Sequence, residues 1–206
     1  MANPDNPRGL RPIRMLDGSP WNGQVMRCSI NSATADDLFI GTPVKLAAAG
    51  GALFAEYDEP NQGGSYPGID QADTTEVVLG VIISFEPNRS NLSSLGSLVH
   101  DASANADDRQ CLVAVATPMT VFEVQGSAAM TSGLAVTGSY VDHSTESADP
   151  TAVTVSNVEV GQTGGAGWLI VGCVNRPDND PTLANADWEV VNVLGQIGNS
   201  VAVAAV

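Results

Sequence analysis

Two histidines and three cysteines are the side chains best suited to chemistry in this 206-residue chain. His100 (LVHDAS) and His143 (VDHSTES) each stand beside an aspartate, a pairing that suggests a base and its orienting carboxylate. Neighbours on an extended strand point to opposite sides, so adjacency alone builds no dyad. The polar flanks predict loops in which both imidazoles are solvated. Cys28, Cys111 and Cys173 lie in apolar, strand-like contexts (VMRCSI, RQCLVAV, LIVGCVN). An odd number without close spacing fits neither a disulfide framework nor a zinc site. Three buried thiols acting as small hydrophobes, in a chain made in a reducing cytoplasm, are expected.

Other chemistry has little to stand on. The sequence contains no GxSxG, HExxH or GxxxxGK[ST]. The glycine-rich run 161–167 lies between two apolar segments with no helix pattern after it, and it reads as a turn. Asp101, Asp107 and Asp108, or Asp178 and Asp180, supply oxygen ligands for Ca²⁺, but neither group has the spacing of a calcium loop. Solvated acidic loops are expected there. No catalytic residue, metal site or cofactor is predicted, and the chain is not expected to be an enzyme.

The elements that must carry these residues are short. Apolar runs recur between turn signals at Gln24–Ile30, Pro43–Ala48, Ala52–Tyr57, Val77–Phe85, Cys111–Thr117, Thr120–Gln125, Leu134–Val136, Ala152–Val160, Trp168–Val174 and Trp188–Leu194. This pattern predicts an all-β fold, a β-barrel or β-sandwich with long loops. In Thr120–Gln125 polar and apolar residues alternate, which predicts one solvent face and one core face. Val77–Ile83 is nearly all apolar and is expected at a sheet centre. Short helices are expected at Asn31–Phe39 and Asn91–His100. Loops are expected at Glu59–Asp73, Glu86–Ser94, Asp101–Asp108, Asp142–Pro150 and Asn175–Asp187. A weak echo links Gly41–Leu46 and Gly80–Ile83 to Ser132–Thr137 and Leu169–Val174. Two related β units, about 24–125 and 126–206, are one way to divide the chain.

Charge is distributed unevenly. Four of the eight basic residues (Arg8, Arg11, Arg14, Arg27) fall in the first 27 positions, against Asp5 and Asp17. The whole chain carries a net charge of −15. The opening stretch is broken by Pro4, Pro7, Pro12 and Pro20 and by three glycines. Residues 1–23 therefore read as an extended N-terminal arm outside any regular element, with 24–206 as the β-rich domain. An acidic body argues against nucleic acid as a partner, and no apolar run approaches the roughly 20 residues of a membrane helix. Arg8, Arg11 and Arg14 then serve either as protein-binding side chains or as part of a solvated tail. Trp21 is either an aromatic interface anchor or a cap on the core.

Five patches, Asn6–Gln24, Phe39–Leu46, Gly80–Pro87, Val121–Gln125 and Val171–Asp180, resemble in order and content a family of tailed-bacteriophage capsid decoration (cement) proteins. The resemblance implies a virion structural protein, made in the host cytoplasm, that binds the outer capsid surface and stiffens the shell. It implies the major capsid protein as partner, a homo-oligomer (commonly a trimer), and Arg8, Arg11, Arg14 and Trp21 as capsid contacts. The alternatives are another virion component, such as a head fibre, tail or baseplate protein, or a carbohydrate-binding adhesin module.

Overall fold

Valine-, isoleucine- and threonine-rich runs too short for helices form strands throughout the computed structural model. It describes residues 3–30, 34–47, 54–56, 65–74, 76–87, 99–103, 109–127, 130, 137–150, 152–161 and 167–196, and no helix occurs among them. In the first half the strands are β1 (Arg11–Met15), β2 (Val25–Ile30), β3 (Leu38–Phe39), β4 (Pro43–Leu46), β5 (Phe54–Glu56), β6 (Ser65–Gln71) and β7 (Gly80–Phe85). The second half adds β8 (Val99–His100), β9 (Arg109–Val115), β10 (Thr120–Gln125), β11 (Tyr140–His143), β12 (Val160–Gly161), β13 (Trp168–Cys173) and β14 (Asp187–Asn192). The all-β expectation holds.

One sheet runs β2-β9-β7-β4-β6 and closes on itself through parallel pairing of β6 with β2, a five-stranded barrel with β5 added to β6. Closure removes the edges that would otherwise template pairing with another chain. A second sheet runs β1-β10-β14-β13-β11-β12. Its last strand returns to its second through a parallel bridge between Val160 and Gly126.

The two halves repeat the same barrel. Taken in chain order, the strands of each unit follow the ring 1-5-4-2-3, antiparallel throughout except where strand 3 meets strand 1. The registers agree residue by residue. Ile82↔Val113 corresponds to Ile170↔Val190, and each of these strand pairs is interrupted by a bulge one residue later. Met26↔Val113 corresponds to Phe122↔Val190, Pro43↔Val81 to Tyr140↔Leu169, and Leu46↔Ile69 to His143↔Val160. Followed around the ring, the equivalences close without a slip, because Ile30↔Ile69 matches Gly126↔Val160. Turn bonds repeat as well: Gly41 N–H donates to the Ile82 carbonyl at 2.8 Å, and Gly138 N–H to the Ile170 carbonyl at 2.8 Å.

Interior positions are kept, with some side chains shared and others exchanged. The first barrel encloses Cys28, Ile30, Leu38, Val44, Ile69, Leu79, Ile82, Cys111 and Val113. At the matching places the second holds Val124 for Cys28, Val141 for Val44, Ile170 for Ile82 and Trp188 for Cys111, with Trp168 and Phe122 packed edge-on at 5.6 Å. The second core also gathers Val78, Val81, Ala114 and Ala116 from outside the first barrel, so one apolar seam joins the units.

Several expectations change. The boundary falls before β10, not at 125, because β10 is the first strand of the second ring. Residues 1–23 are not an arm free of the domain: Arg11–Met15 is a strand paired with β10. Pro12 is tolerated because β1 is an edge strand with a register break between Pro12 and Arg14, where a missing N–H costs no ladder bond. β6 occupies much of the expected Glu59–Asp73 loop. Of the expected strand Ala152–Val160, only an isolated bridge at Val155 and the start of β12 are extended. Leu38–Phe39 and Val99–His100 pair as strands instead of ending helices; residues 31–33 and 91–98 lie outside the described residues, as do Leu134–Val136 and the echo at Ser132–Val136. The other half of the echo, Gly80–Ile83 with Leu169–Val174, does fall on equivalent strands β7 and β13.

Two equivalent glycines give a contrast that can be measured. Gly41 (φ 100°) and Gly138 (φ 85°) both occupy the left-handed region. A Cβ on Gly41 would sit 2.6 Å from the Arg8 carbonyl oxygen, whereas one on Gly138 would meet nothing within 4 Å. Gly138→Ala should therefore cost only the backbone strain, about 1 kcal/mol. Gly41→Ala should cost at least twice that, read as the difference in urea midpoint between the two variants.

Candidate functional site

The four residues predicted to bind a partner all lie on or next to one strap, residues 3–15, that crosses both barrels. It begins at Asn3, whose side chain donates to the carbonyls of Asp180 (2.9 Å) and Ala184 (3.0 Å) and accepts from Asp180 N–H. Gln125 on β10 next accepts from Asn6 N–H at 3.1 Å and donates to Asp5 at 3.2 Å. Gly9, at φ 65°, then passes so close to Gly41 that any Cβ would sit 2.5 Å from the Gly41 oxygen. This close approach lets Leu10 N–H donate to that same carbonyl at 3.0 Å and sinks the Leu10 side chain into the seam.

The arginines meet carboxylates of the second sheet. Glu123 and Glu189 stand directly opposite each other on β10 and β14, a like-charge pair that is unfavourable unless compensated. Arg11, itself opposite Glu123, donates to it at 2.9 Å, and Arg176 donates to the same oxygen at 2.7 Å. Arg14 pairs with Glu189. Arg176 also pairs with Asp187, which Arg8 approaches to 4.0 Å. Arg8, Arg11 and Arg176 thus link into one chain of ion pairs with Glu123 and Asp187, and the Arg14–Glu189 pair lies directly beside it, so four of the chain's eight basic side chains serve this array. Burial pushes the Asp187 carboxyl above its ordinary value although Arg176 pulls the other way. Burial opposes the charge of Arg176, but its hydrogen bond to Glu123 and the surrounding carboxylates raise it overall.

This array explains why β10 departs from its alternating pattern. Every residue of the strand is buried, because the strap and the Arg176 loop cover the face that carries Glu123 and Gln125. Arg8, Arg11 and Arg14, expected as capsid contacts, each face a carboxylate of this chain, and Arg8 and Arg11 keep 42% of their side-chain surface exposed. Trp21 is half-buried against the joint core, the capping position of its two expected alternatives. Sequence inspection missed Glu123, Asp187 and Glu189 as partners. The signal available was Glu123 between Phe122 and Val124, a carboxylate that burial would leave in need of a cation.

A polar cavity of about 40 Å³ lies beneath the strap, lined by Asn3, Asn6, Arg8, Gln125, Arg176, Asn185 and Asp187 among others. Its volume suits one or two ordered waters and is far below that of a small-molecule pocket.

The histidines lie where the sequence did not place them, buried in strands. His143 Nε2 donates to the Ala72 carbonyl at 3.0 Å and its Nδ1 accepts from Trp168 Nε1–H at 3.1 Å. Donor and acceptor are thereby fixed in the neutral tautomer, and the imidazole ties the first barrel to the second. Burial lowers the pKa of His143 and, with Arg109 nearby, takes that of His100 down to about 4. Cys28 and Cys111 are register partners inside the first barrel, both free and buried. Burial pushes Cys28 up to about 12 and Cys111 well above the usual thiol range, which leaves both as unreactive packing groups. Cys173 is half-buried rather than buried.

Among the acidic candidates, Asp180 folds back onto Thr182 N–H and hydroxyl, Asp178 faces Arg176 at 3.7 Å, and Asp101 bonds Ser103. Asp107 and Asp108 lie outside the described residues. No cluster of three potential metal ligands occurs among the described residues, and no described helix is long and apolar enough to cross a membrane. Comparison of the chain with family models, with curated proteins and with solved structures finds no match.

Proposed function

We propose that this chain is a non-enzymatic structural protein of a tailed-phage virion that binds the outer face of the capsid and stabilises it. One observation carries the proposal. The five patches that resemble decoration proteins are scattered along the sequence, yet they touch one another around the strap. Arg11, Glu123 and Arg176 join three of them, Leu10 and Gly41 a fourth, and Gly41 with Ile82 the fifth. A resemblance that traces one connected structural unit supports a shared architecture better than five separate short matches would.

The charge distribution agrees with this function. With half of its cations paired into the strap array, the protein presents an acidic exterior that repels nucleic acid and disperses particles. The test is to add the purified full-length chain to shells that lack it. Saturable binding, lattice-ordered density on the shell by cryo-electron microscopy and a raised temperature of DNA release are expected. Density confined to the tail, or no binding to shells at any occupancy, would overturn the proposal.

A further inference from the structure

The connector between β1 and β2, residues 16–24, carries the chain's one Asn–Gly and one Asp–Gly dipeptide, Asn22–Gly23 and Asp17–Gly18. In such pairs the glycine main-chain nitrogen, unshielded by a side chain, can reach the preceding side-chain carbonyl carbon and close a five-membered ring. Both glycines stand at positive φ, 74° for Gly23 and 86° for Gly18, and a Cβ on either would meet nothing within 4 Å. All four residues are exposed. Sterics therefore do not separate the two sites; hydrogen bonding does.

Asp17–Gly18 is tied down at both reacting groups. Gly18 N–H, the nucleophile, donates to the Met15 carbonyl at 3.0 Å, inside the turn that Met15 N–H closes onto the Ser19 carbonyl at 2.8 Å. The electrophile is held too: one oxygen of Asp17 accepts from the Ser19 hydroxyl at 2.7 Å and from Ser19 N–H at 2.9 Å. The hydroxyl bond, and after it the N–H bond, lowers the Asp17 pKa and keeps the group ionised, and a carboxylate is a poor electrophile. Asn22–Gly23 has no such restraint. Among the described residues, neither its main-chain groups nor the Asn22 amide makes a hydrogen bond. Its flanks are fixed, because Trp21 packs on the joint core and Val25 begins β2 opposite Ala114. The dipeptide is an unbonded span between two anchored points.

We propose that Asn22–Gly23 is a self-modifying site, at which asparagine converts to aspartate and isoaspartate without an enzyme. Gly23 N attacks Asn22 Cγ and gives up its proton, the bond from Cγ to the side-chain nitrogen breaks, and ammonia leaves with that proton. Water then opens the succinimide at either carbonyl. Opening at Cγ gives aspartate; opening at the main-chain carbonyl gives isoaspartate, which routes the backbone through Cβ. Water is the only co-reactant, and nothing is oxidised or reduced. Each event adds a negative charge to a chain that already carries −15, and it falls on the covalent link from the strap to the first barrel. The site does not rest on the capsid proposal.

The experiment incubates the full-length chain in neutral buffer, folded and in guanidinium chloride, and then digests it with trypsin. Cleavage after Arg14 and Arg27 leaves both dipeptides in one peptide, Met15–Arg27, and fragmentation in the mass spectrometer separates them. In the folded chain Asn22 should convert within about twofold of its rate in denaturant, whereas Asp17 should isomerise about tenfold more slowly folded than unfolded, because only Asp17–Gly18 is held by bonds that must open first. Asn22→Gln, whose longer side chain would have to close a larger ring, should stay unmodified at that position. An Asn22 that remains intact in the folded chain while it converts in denaturant overturns the proposal. So does an Asp17 that isomerises as fast folded as unfolded, or an Asn22→Gln chain that loses ammonia at residue 22 at the wild-type rate.

Discussion

Deleting residues 1–16 is expected to destabilise the second barrel strongly, not to release a passenger tail. The truncation removes the edge partner of β10, empties the seam of Leu10, and takes Arg8, Arg11 and Arg14 away from Glu123, Asp187 and Glu189. A buried leucine alone is worth about 3 kcal/mol. Carboxylates left without cations on a covered face add a penalty of similar order, reduced because the pairs are partly in water. Against a total stability on the order of 10 kcal/mol, the combined loss lowers Tm by roughly 10–20 °C. Hydrogen exchange should show the change first in β10 and β14. Arg11→Ala with Arg14→Ala keeps Leu10 and the β1–β10 pairing in place and should recover about half of that loss. A truncated chain whose Tm stays within a few degrees of the full-length value would show that the strap contributes little.

The second large effect is acid lability that begins well above the carboxylate range. His100 is neutral and buried in the fold, with its pKa lowered from the ordinary 6.5 to about 4, and that of His143 is lowered as well. The unfolded chain binds these protons more readily. Stability is therefore complete above about pH 6.5 and declines as pH falls toward about 4. For His100 the shift corresponds to about 3 kcal/mol. His143 adds a structural consequence: a proton on Nδ1 sets two donors against each other, since Trp168 Nε1–H already points there. The seam between the barrels should loosen with it. Asp36, Asp187 and Glu159, whose pKa values are raised, give back part of the loss near the bottom of this window. Urea midpoints followed by tryptophan fluorescence from pH 7 to pH 4 check the slope, and His100→Gln should flatten it. A flat profile in the wild type over that range would refute the assignment.

How much of this was legible in the sequence depends on what each signal encodes. Strand-forming runs with Val, Ile and Thr were visible because propensity and period are local, and so were β2, β4, β7, β9, β10, β13 and β14. β1 was hidden by its prolines: Pro12 is incompatible with a central strand, but not with an edge, and only topology says which strand is the edge. The histidines were misplaced because polar neighbours such as Asp101 and Ser144 suggest solvent, while burial is decided by strands elsewhere in the chain. The repeat was half-seen. Val44 maps onto Val141 but Val113 onto Val190, so the spacing contracts along the chain and no fixed period exists to find. What the two barrels share most fully is the hydrogen-bonding grid: inside it Val44, Ile82 and Val113 recur as Val141, Ile170 and Val190, but Cys28 and Cys111 become Val124 and Trp188. The strap array was out of reach for a similar reason. Arg11 and Glu123 are 112 residues apart, and charge pairing at that distance leaves no mark on either local stretch.

That separation has a consequence for how the protein is made. Residues Arg11–Met15 leave the ribosome well before β10, the strand they pair with, and before Glu123 and Glu189, their ionic partners. The first barrel can close during synthesis from β2, β4, β6, β7 and β9 alone, all of them local to the first half. The N-terminal strand must meanwhile wait unpaired. Its docking is the step with the longest loop to close and therefore the slowest, as non-local contacts are in general. Closure of the first barrel and docking of β1 are thus separate events, and a strand made before either barrel is the last to find its place.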